Sequence, residues 1–335
     1  MELDKVIVIT SINSIDSPGV VKLIEFLEGN SLHAIVVADR KTPIWESHPN
    51  IDFLTLEMQQ DLWPKLSRKL PLNHYSRKNL GYLRAAKIGV LQILDTDDDN
   101  CPESNPWKKT FNSFRMNETR DWVNIYRYFG EMELWPRGLP LNFVNEVILS
   151  PKTFLETFEV SCFQSIVDGD PDIDAIGRLL FPKQVQFANE PPIVLGPGVC
   201  PTNSQATIWM SWVLPMLYLP STVTFRMTDI WRGLIAQPAI LELGGNTVFG
   251  KLGFRQVRNE HDLIRDFESE VSGHLHSEEV LEISQTIWTA GGFNRQLESI
   301  ASGMKRIYEK LVARELVEYR EIEILDEWFL ALESA

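Results

Sequence analysis

Three short runs rich in β-branched residues, VIVIT at 6–10, HAIVVA at 33–38 and LQIL at 91–94, are separated by stretches with helical apolar spacing such as VVKLIEFLEG at 20–29. Strand, loop, helix and strand in this order open a parallel α/β sheet with right-handed crossovers, a pattern that few other folds satisfy. In such sheets ligands gather at the carboxyl ends of the strands. Each run here ends in polar residues at that position: Ser11 to Gly19, Asp39 to Pro43, and the acids Asp95, Asp97, Asp98 and Asp99. The middle of the chain, from about 100 to 240, is rich in Pro, Trp and Gly and predicts short strands joined by long loops. After Pro238 there is no further proline, and RQLESIASGMKRIYEKLVARELVEY at 295–319 has i, i+3, i+4 apolar spacing, so the C-terminal end reads as helical.

The acid run is the chemical problem of the sequence. A charge run is commonly a solvated turn. This one follows a strand expected to be buried on both faces, where like charges raise one another's pKa unless a cation neutralises them. A hard divalent ion such as Mg or Mn, which takes oxygen ligands, resolves the conflict. The net charge of -14 opposes a nucleic-acid backbone or an anionic lipid surface as partner. With 44% hydrophobic and 23% charged residues, the 335-residue chain is of ordinary globular composition. Its three cysteines, Cys101, Cys162 and Cys200, are widely spaced and odd in number, which predicts a reducing compartment rather than a disulfide framework. The chain enters its first strand directly after MELDK and has no apolar run near the ~18–20 residues of a membrane span. These features predict a cytoplasmic protein without a transmembrane segment, compatible with peripheral contact at the inner face of a membrane.

An acid run after a strand about 90 residues into an α/β domain resembles the Asp-x-Asp signature of GT-A glycosyltransferases. Reading outward, YSRKNLGYL at 75–83 followed by ILDTDDDN is similar to the corresponding segment of STELLO-type proteins, a GT-A-like family. WPRGLPL at 135–141, NSQATIW at 203–209, TDIWRGLIAQ at 228–237 and RNEHDLIRDFESE at 258–270 resemble that family in the same order. VDGDPDIDA at 167–175 is more distantly similar to the reversibly glycosylated polypeptide and UDP-arabinopyranose mutase family. The resemblance implies a GT-A-like domain over 1–270, with a nucleotide-binding half at 1–100 and a sugar and acceptor half at 101–270, followed by a helical extension at 271–335. It implies an enzyme that moves a sugar from a UDP- or GDP-type donor to a hydroxyl acceptor with Mn or Mg, in the synthesis of a cell-surface polysaccharide or glycoconjugate. The arabinopyranose mutase relatives make a nucleotide-sugar mutase one alternative, and a non-catalytic scaffold that keeps the fold for shape is another. Plant STELLO proteins carry a membrane anchor, whereas this chain starts at the fold itself.

Residue roles follow from chemistry and this resemblance together. Asp97, Asp99 and His261 are the candidate metal ligands, with Asp98 placed to meet ribose or sugar. Thr10, Ser11, Asn13 and Asp39 end strands that would face the base and ribose. Arg77 and Lys78, with Asn79, begin a helix, where cations and free N–H groups favour phosphate; Asn79 also reads as a cap. Arg137, stiffened between Pro136 and Gly138, is a candidate phosphate or sugar contact or a structural ion pair. Asp170, Asp172 and Asp174 alternate, as sugar-orienting acids or as caps of the helix that DAIGRLL begins. Asp229 is the preferred catalytic carboxylate, as a general base or facing an oxocarbenium-like centre, with Asp172 and Arg232 beside it. Trp231 would offer a sugar platform. Asp95 reads as structural, Lys41 as surface charge, and His274 with His276 as an ordinary pair. The helical C-terminal region is a candidate surface for homo-oligomer formation.

Overall fold

The computed structural model describes residues 3–146, 150–154, 158–256 and 262–335. The first half alternates strand and helix: β1 (Lys5–Ser11), α1 (Pro18–Asn30), β2 (Ala34–Ala38), β3 (Ile51–Leu54), α2 (Leu56–Leu62), α3 (Pro64–Lys69), α4 (Asn79–Ile88) and β4 (Gln92–Thr96). Short strands follow: β5 (Asn100–Pro102), β6 (Phe114–Met116), β7 (Lys152–Phe154), β8 (Val160–Ser165), β9 (Asp168–Gly169), then α5 (Ala175–Leu180), β10 (Ile193–Val194) and β11 (Ala206–Met210). The chain closes with α6 (Thr228–Glu242), β12 (Asn246–Gly250), β13 (Phe254–Gln256), α7 (Leu263–Thr289), α8 (Leu297–Ala313) and α9 (Arg320–Glu333).

Ten strands form one sheet in the order β3-β2-β1-β4-β11-β8-β12-β10-β6-β7. β3, β2, β1 and β4 are mutually parallel. β11 enters antiparallel to both β4 and β8, and β12 restores a parallel pair with β8. The fold is therefore mixed α/β with a mostly parallel central sheet flanked by helices and a helical C-terminal region, consistent with a GT-A-like fold. β5, β13 and β9 make a separate three-stranded sheet at the end of β4.

Period-2 alternation in β1 divides the core. Val6 and Val8 face one cluster with Leu80 and Leu83 of α4 and Leu234 of α6, while Ile7 and Ile9 face another with Val20, Leu23 and Leu27 of α1. A side-chain period of two does this for any strand covered on both sides. The C-terminal helices belong to the first of these clusters: Trp288, Tyr308, Leu325 and Trp328 are buried in it. Tyr218 meets Tyr308 edge-on at 5.5 Å between ring centroids. The division expected at 270/271 falls inside α7, which packs along α6. Among the described residues no helix is long and apolar enough to cross a membrane.

Candidate active site

Asp95 pairs across the sheet with Val8 on one side and Thr207 on the other, so its carboxylate lies fully inside the protein. Such a charge persists only with partners. Lys78 Nζ reaches Oδ1 at 2.7 Å and Arg232 Nη1 reaches Oδ2 at 2.7 Å; Ser204 Oγ donates to Oδ2 at 2.8 Å. Burial works against this carboxylate, but Lys78 and Arg232 outweigh it and hold its pKa below the ordinary value. Asp95 thus claims Lys78, which the sequence offered to phosphate, and Arg232, which the sequence placed beside Asp229. Lys78 is fully buried and also donates to the Thr96 carbonyl at 2.6 Å and the Tyr75 hydroxyl at 3.0 Å. Arg232 donates to the Tyr82 hydroxyl at 3.0 Å and stacks over Trp209 at 5.0 Å.

The three acids beyond β4 diverge at the mouth of a cavity of about 380 Å³. Asp97 Oδ1 accepts from Tyr75 Oη at 2.7 Å, with Lys78 Nζ at 3.5 Å. Asp98 turns away, accepting from Asn13 Nδ2 at 2.9 Å and from the Ser11 hydroxyl. Asp99 Oδ2 accepts from Gln256 Nε2 at 3.0 Å, on the small sheet that starts at Asn100. Desolvation, reinforced by the charge of Asp99 and opposed by Lys78, pushes the Asp97 carboxyl up to about 7. Burial likewise raises Asp98. Gly19, in the first turn of α1, allows this packing: a Cβ there would lie 2.3 Å from the Asp98 carbonyl oxygen.

The donor chemistry of Asp97 and Asp99 is the kind a hard divalent cation takes. Their donors are carboxylate oxygens, the intervening Asp98 is bonded elsewhere, and a cation between them would relieve the repulsion that burial amplifies. Among the described residues no group of three His, Cys, Asp or Glu side chains is placed to hold a metal ion. His261 lies outside the described residues.

Deeper in the cavity Arg137 joins two carboxylates brought from separate stretches. Its guanidinium donates to Asp172 at 2.7–3.1 Å and to Asp229 at 3.0–3.2 Å, and its backbone N–H donates to the Asp172 carbonyl at 3.0 Å. Arg137 is held charged well above its usual range, because the fields of Asp172 and Asp229 overcome its burial. Gly138, at φ 87°, seats this loop against α6, where a Cβ would lie 2.4 Å from Ile230 Cγ2. Asp229 also accepts from the Ser204 N–H at 3.0 Å. Gln205 bridges the two halves: it accepts from the Asp172 N–H and donates to Gln256, which in turn holds Asp99.

The cavity thus gathers Thr10, Ser11, Asp39, Asp97, Asp98 and Asp99 from strand ends together with Arg137, Asp172 and Asp229. Asn13 stands behind as a support of Asp98. Arg77 lines the wall, but its guanidinium points inward to Gln59, Ser67 and Leu70, and burial lowers its pKa. Asn79 is buried, with both ends of its amide on the backbone of Leu219. Trp231 is in the core. Asp174 caps α5 through the Gly177 N–H at 2.7 Å, the capping role that the sequence left open. Lys41 lines the cavity. So do His74, Phe225 and Arg226, which the sequence reading did not single out. Phe225 is 54% exposed, an unusual setting for a large aromatic, and meets Tyr75 edge-on at 5.5 Å.

No family model matches the chain. Over 235 residues it is 31% identical to the probable glycosyltransferase STELLO1 of Arabidopsis thaliana, a match covering 63% of this chain and 30% of that protein. It is 32% identical over 217 residues to the probable glycosyltransferase STELLO2 of the same plant, covering 58% of this chain and 28% of that protein. The chain therefore spans less than a third of the length of these curated relatives. A mycobacterial protein of known crystal structure superposes with a TM-score of 0.38 at 11% identity, over 82% of this chain and 74% of that one. Over the matched stretches the chain is similar to these two probable glycosyltransferases.

Proposed function

We propose that the chain is a divalent-metal-dependent glycosyltransferase that takes a sugar from a UDP- or GDP-type donor to a hydroxyl acceptor. The observation that carries this reading is the union, in one cavity at the carboxyl ends of β1, β2 and β4, of the acid run with the Arg137-centred carboxylate pair. Asp97 and Asp99 would hold Mn or Mg, and when bound the cation supplies electrostatic stabilisation to the leaving diphosphate. Ser11 and Asn13 hold Asp98 where its carboxylate can accept from ribose hydroxyls. Asp39 stands at the end of β2, with Oδ2 held by the His74 N–H at 3.2 Å.

Asp172 and Asp229 supply the sugar end. Each is already satisfied by a guanidinium and an N–H donor, Asn203 Nδ2 for Asp172 and Ser204 N–H for Asp229. With its oxygens accepting from Arg137 and the Ser204 N–H, Asp229 suits a carboxylate facing an oxocarbenium-like centre and ordering sugar hydroxyls. Incubating the chain with a panel of nucleotide sugars and Mn, and following nucleoside diphosphate release by anion-exchange chromatography, tests the reading. One donor should be cleaved, its sugar passing to water in the absence of acceptor, and Asp229→Asn should slow this by about a hundredfold. An isomerised donor without diphosphate release would contradict transfer and indicate a mutase.

A further inference from the structure

We propose that Lys41 is the side chain through which this cavity binds the phosphate of its nucleotide ligand. The inference rests on reading the cavity as a nucleotide-sugar site and adds a residue to it.

Four Lys or Arg side chains line the cavity: Lys41, Arg77, Arg137 and Arg226. Arg137 is committed to Asp172 and Asp229. Arg226 donates through Nε and Nη2 to Glu270 Oε1 at 2.9 and 2.7 Å. Arg77 is 2% exposed, and its donors are directed at Gln59, Ser67 and two backbone carbonyls. Lys78, behind the acids, is fully buried on Asp95 and Thr96. Lys41 alone among these cavity cations is exposed and makes no ion pair or hydrogen bond with the described residues.

The opposing charge is large. Arg137 offsets only one of the two charges of Asp172 and Asp229, and Asp39, Asp97, Asp98 and Asp99 add to the cavity wall. A diphosphate entering there meets like charge unless a divalent cation and a free ammonium compensate it. Asp97 and Asp99 would hold the cation. Lys41 supplies the ammonium.

Position supports the assignment. The Asp39–Thr42 turn is pinned to the end of β1: Thr42 Oγ1 donates to the Ser11 carbonyl at 2.5 Å and accepts from the Asp39 N–H at 2.7 Å, and the Thr42 N–H donates to the Asp39 carbonyl at 2.9 Å. The backbone of Lys41 is thus fixed beside Ser11, which holds Asp98. Its flexible stem leaves the ammonium free to follow a phosphate.

Titration calorimetry in the presence of Mn, with UDP and GDP and with their monophosphates and nucleosides, on wild type, Lys41→Ala and Lys41→Arg tests this. The ligand-free melting temperature should be equal in all three, since the side chain is exposed. For the diphosphate that wild type binds, Lys41→Ala should weaken affinity about tenfold, near the lower limit for a charge-assisted hydrogen bond. Its effect should shrink for the monophosphate and vanish for the nucleoside, and Lys41→Arg should recover most of the loss. Unchanged diphosphate affinity in Lys41→Ala, or an equal loss for nucleoside and diphosphate, would overturn the assignment. If wild type itself binds none of these ligands, the nucleotide-sugar reading falls and Lys41 with it.

Discussion

At the scale of single residues, the same charge acts differently according to what surrounds it. Asp95 and Asp97 are two positions apart, yet one is locked between Lys78 and Arg232 and the other is left at the cavity mouth with its pKa near neutrality. The repulsion within the acid run is visible in the sequence, because four carboxylates after a buried strand need compensation wherever they point. The fate of the nearby cations is not visible, because it depends on which buried acid claims them. Adjacent cations at a helix start suit a phosphate on local grounds, but the central position of β4 draws Lys78 inward, and Arg232 arrives from a helix more than a hundred residues later. The Arg137, Asp172 and Asp229 cluster likewise joins three stretches that no spacing rule connects. Arg137→Ala should lower stability by about 3–5 kcal/mol, because it strands two buried carboxylates. Chemical denaturation measures this, and a loss under about 1 kcal/mol would mean that the pair is solvated rather than clamped.

At the scale of elements, the alternation of β1, α1, β2, α4 and β4 was legible because each strand is covered on both faces and each helix shows one apolar stripe. Strands as short as β9 and β10 carry too few residues for a period to show, and they form because neighbouring chain completes their ladders. The close approach of α1 to the acid turn was equally hidden. Gly19→Ala should push against the Asp98 carbonyl, costing about 1–3 kcal/mol of stability and weakening Mn-dependent nucleotide binding together with it. A fully stable variant with unaltered binding would show that the turn can yield. The 218–226 loop, which delivers Phe225 and Arg226 to the cavity, is held by the C-terminal helices. Glu321 of α9 is fully buried and accepts from the Ser221 and Thr222 N–H groups at 2.8 Å each and from the Tyr218 hydroxyl. Glu321→Ala should therefore cost about 3 kcal/mol and speed amide exchange at Ser221 and Thr222, with unchanged exchange there counting against this clamp.

At the scale of the whole molecule, the C-terminal helices continue the main core and support the site from behind. Their helical character was readable from apolar spacing, but the surface they cover was not, since an amphipathic stripe does not name its partner. Glu270 of α7 illustrates the connection: it holds Arg226 beside the cavity and the Ala175 N–H at the start of α5. The molecule is thus organised around one acidic cavity that the sheet opens, the small sheet edges and the C-terminal helices brace. Because a ligand that binds only the native state raises its apparent stability, a thermal-shift panel tests the metal and nucleotide site. UDP, GDP, CDP and ADP, each with and without Mn, would be compared on wild type, Asp97→Asn and Asp99→Asn. The account predicts a rise in melting temperature for UDP or GDP that requires Mn and disappears in both variants. A rise that persists without Mn or in the variants, or no rise for any nucleotide, would contradict it.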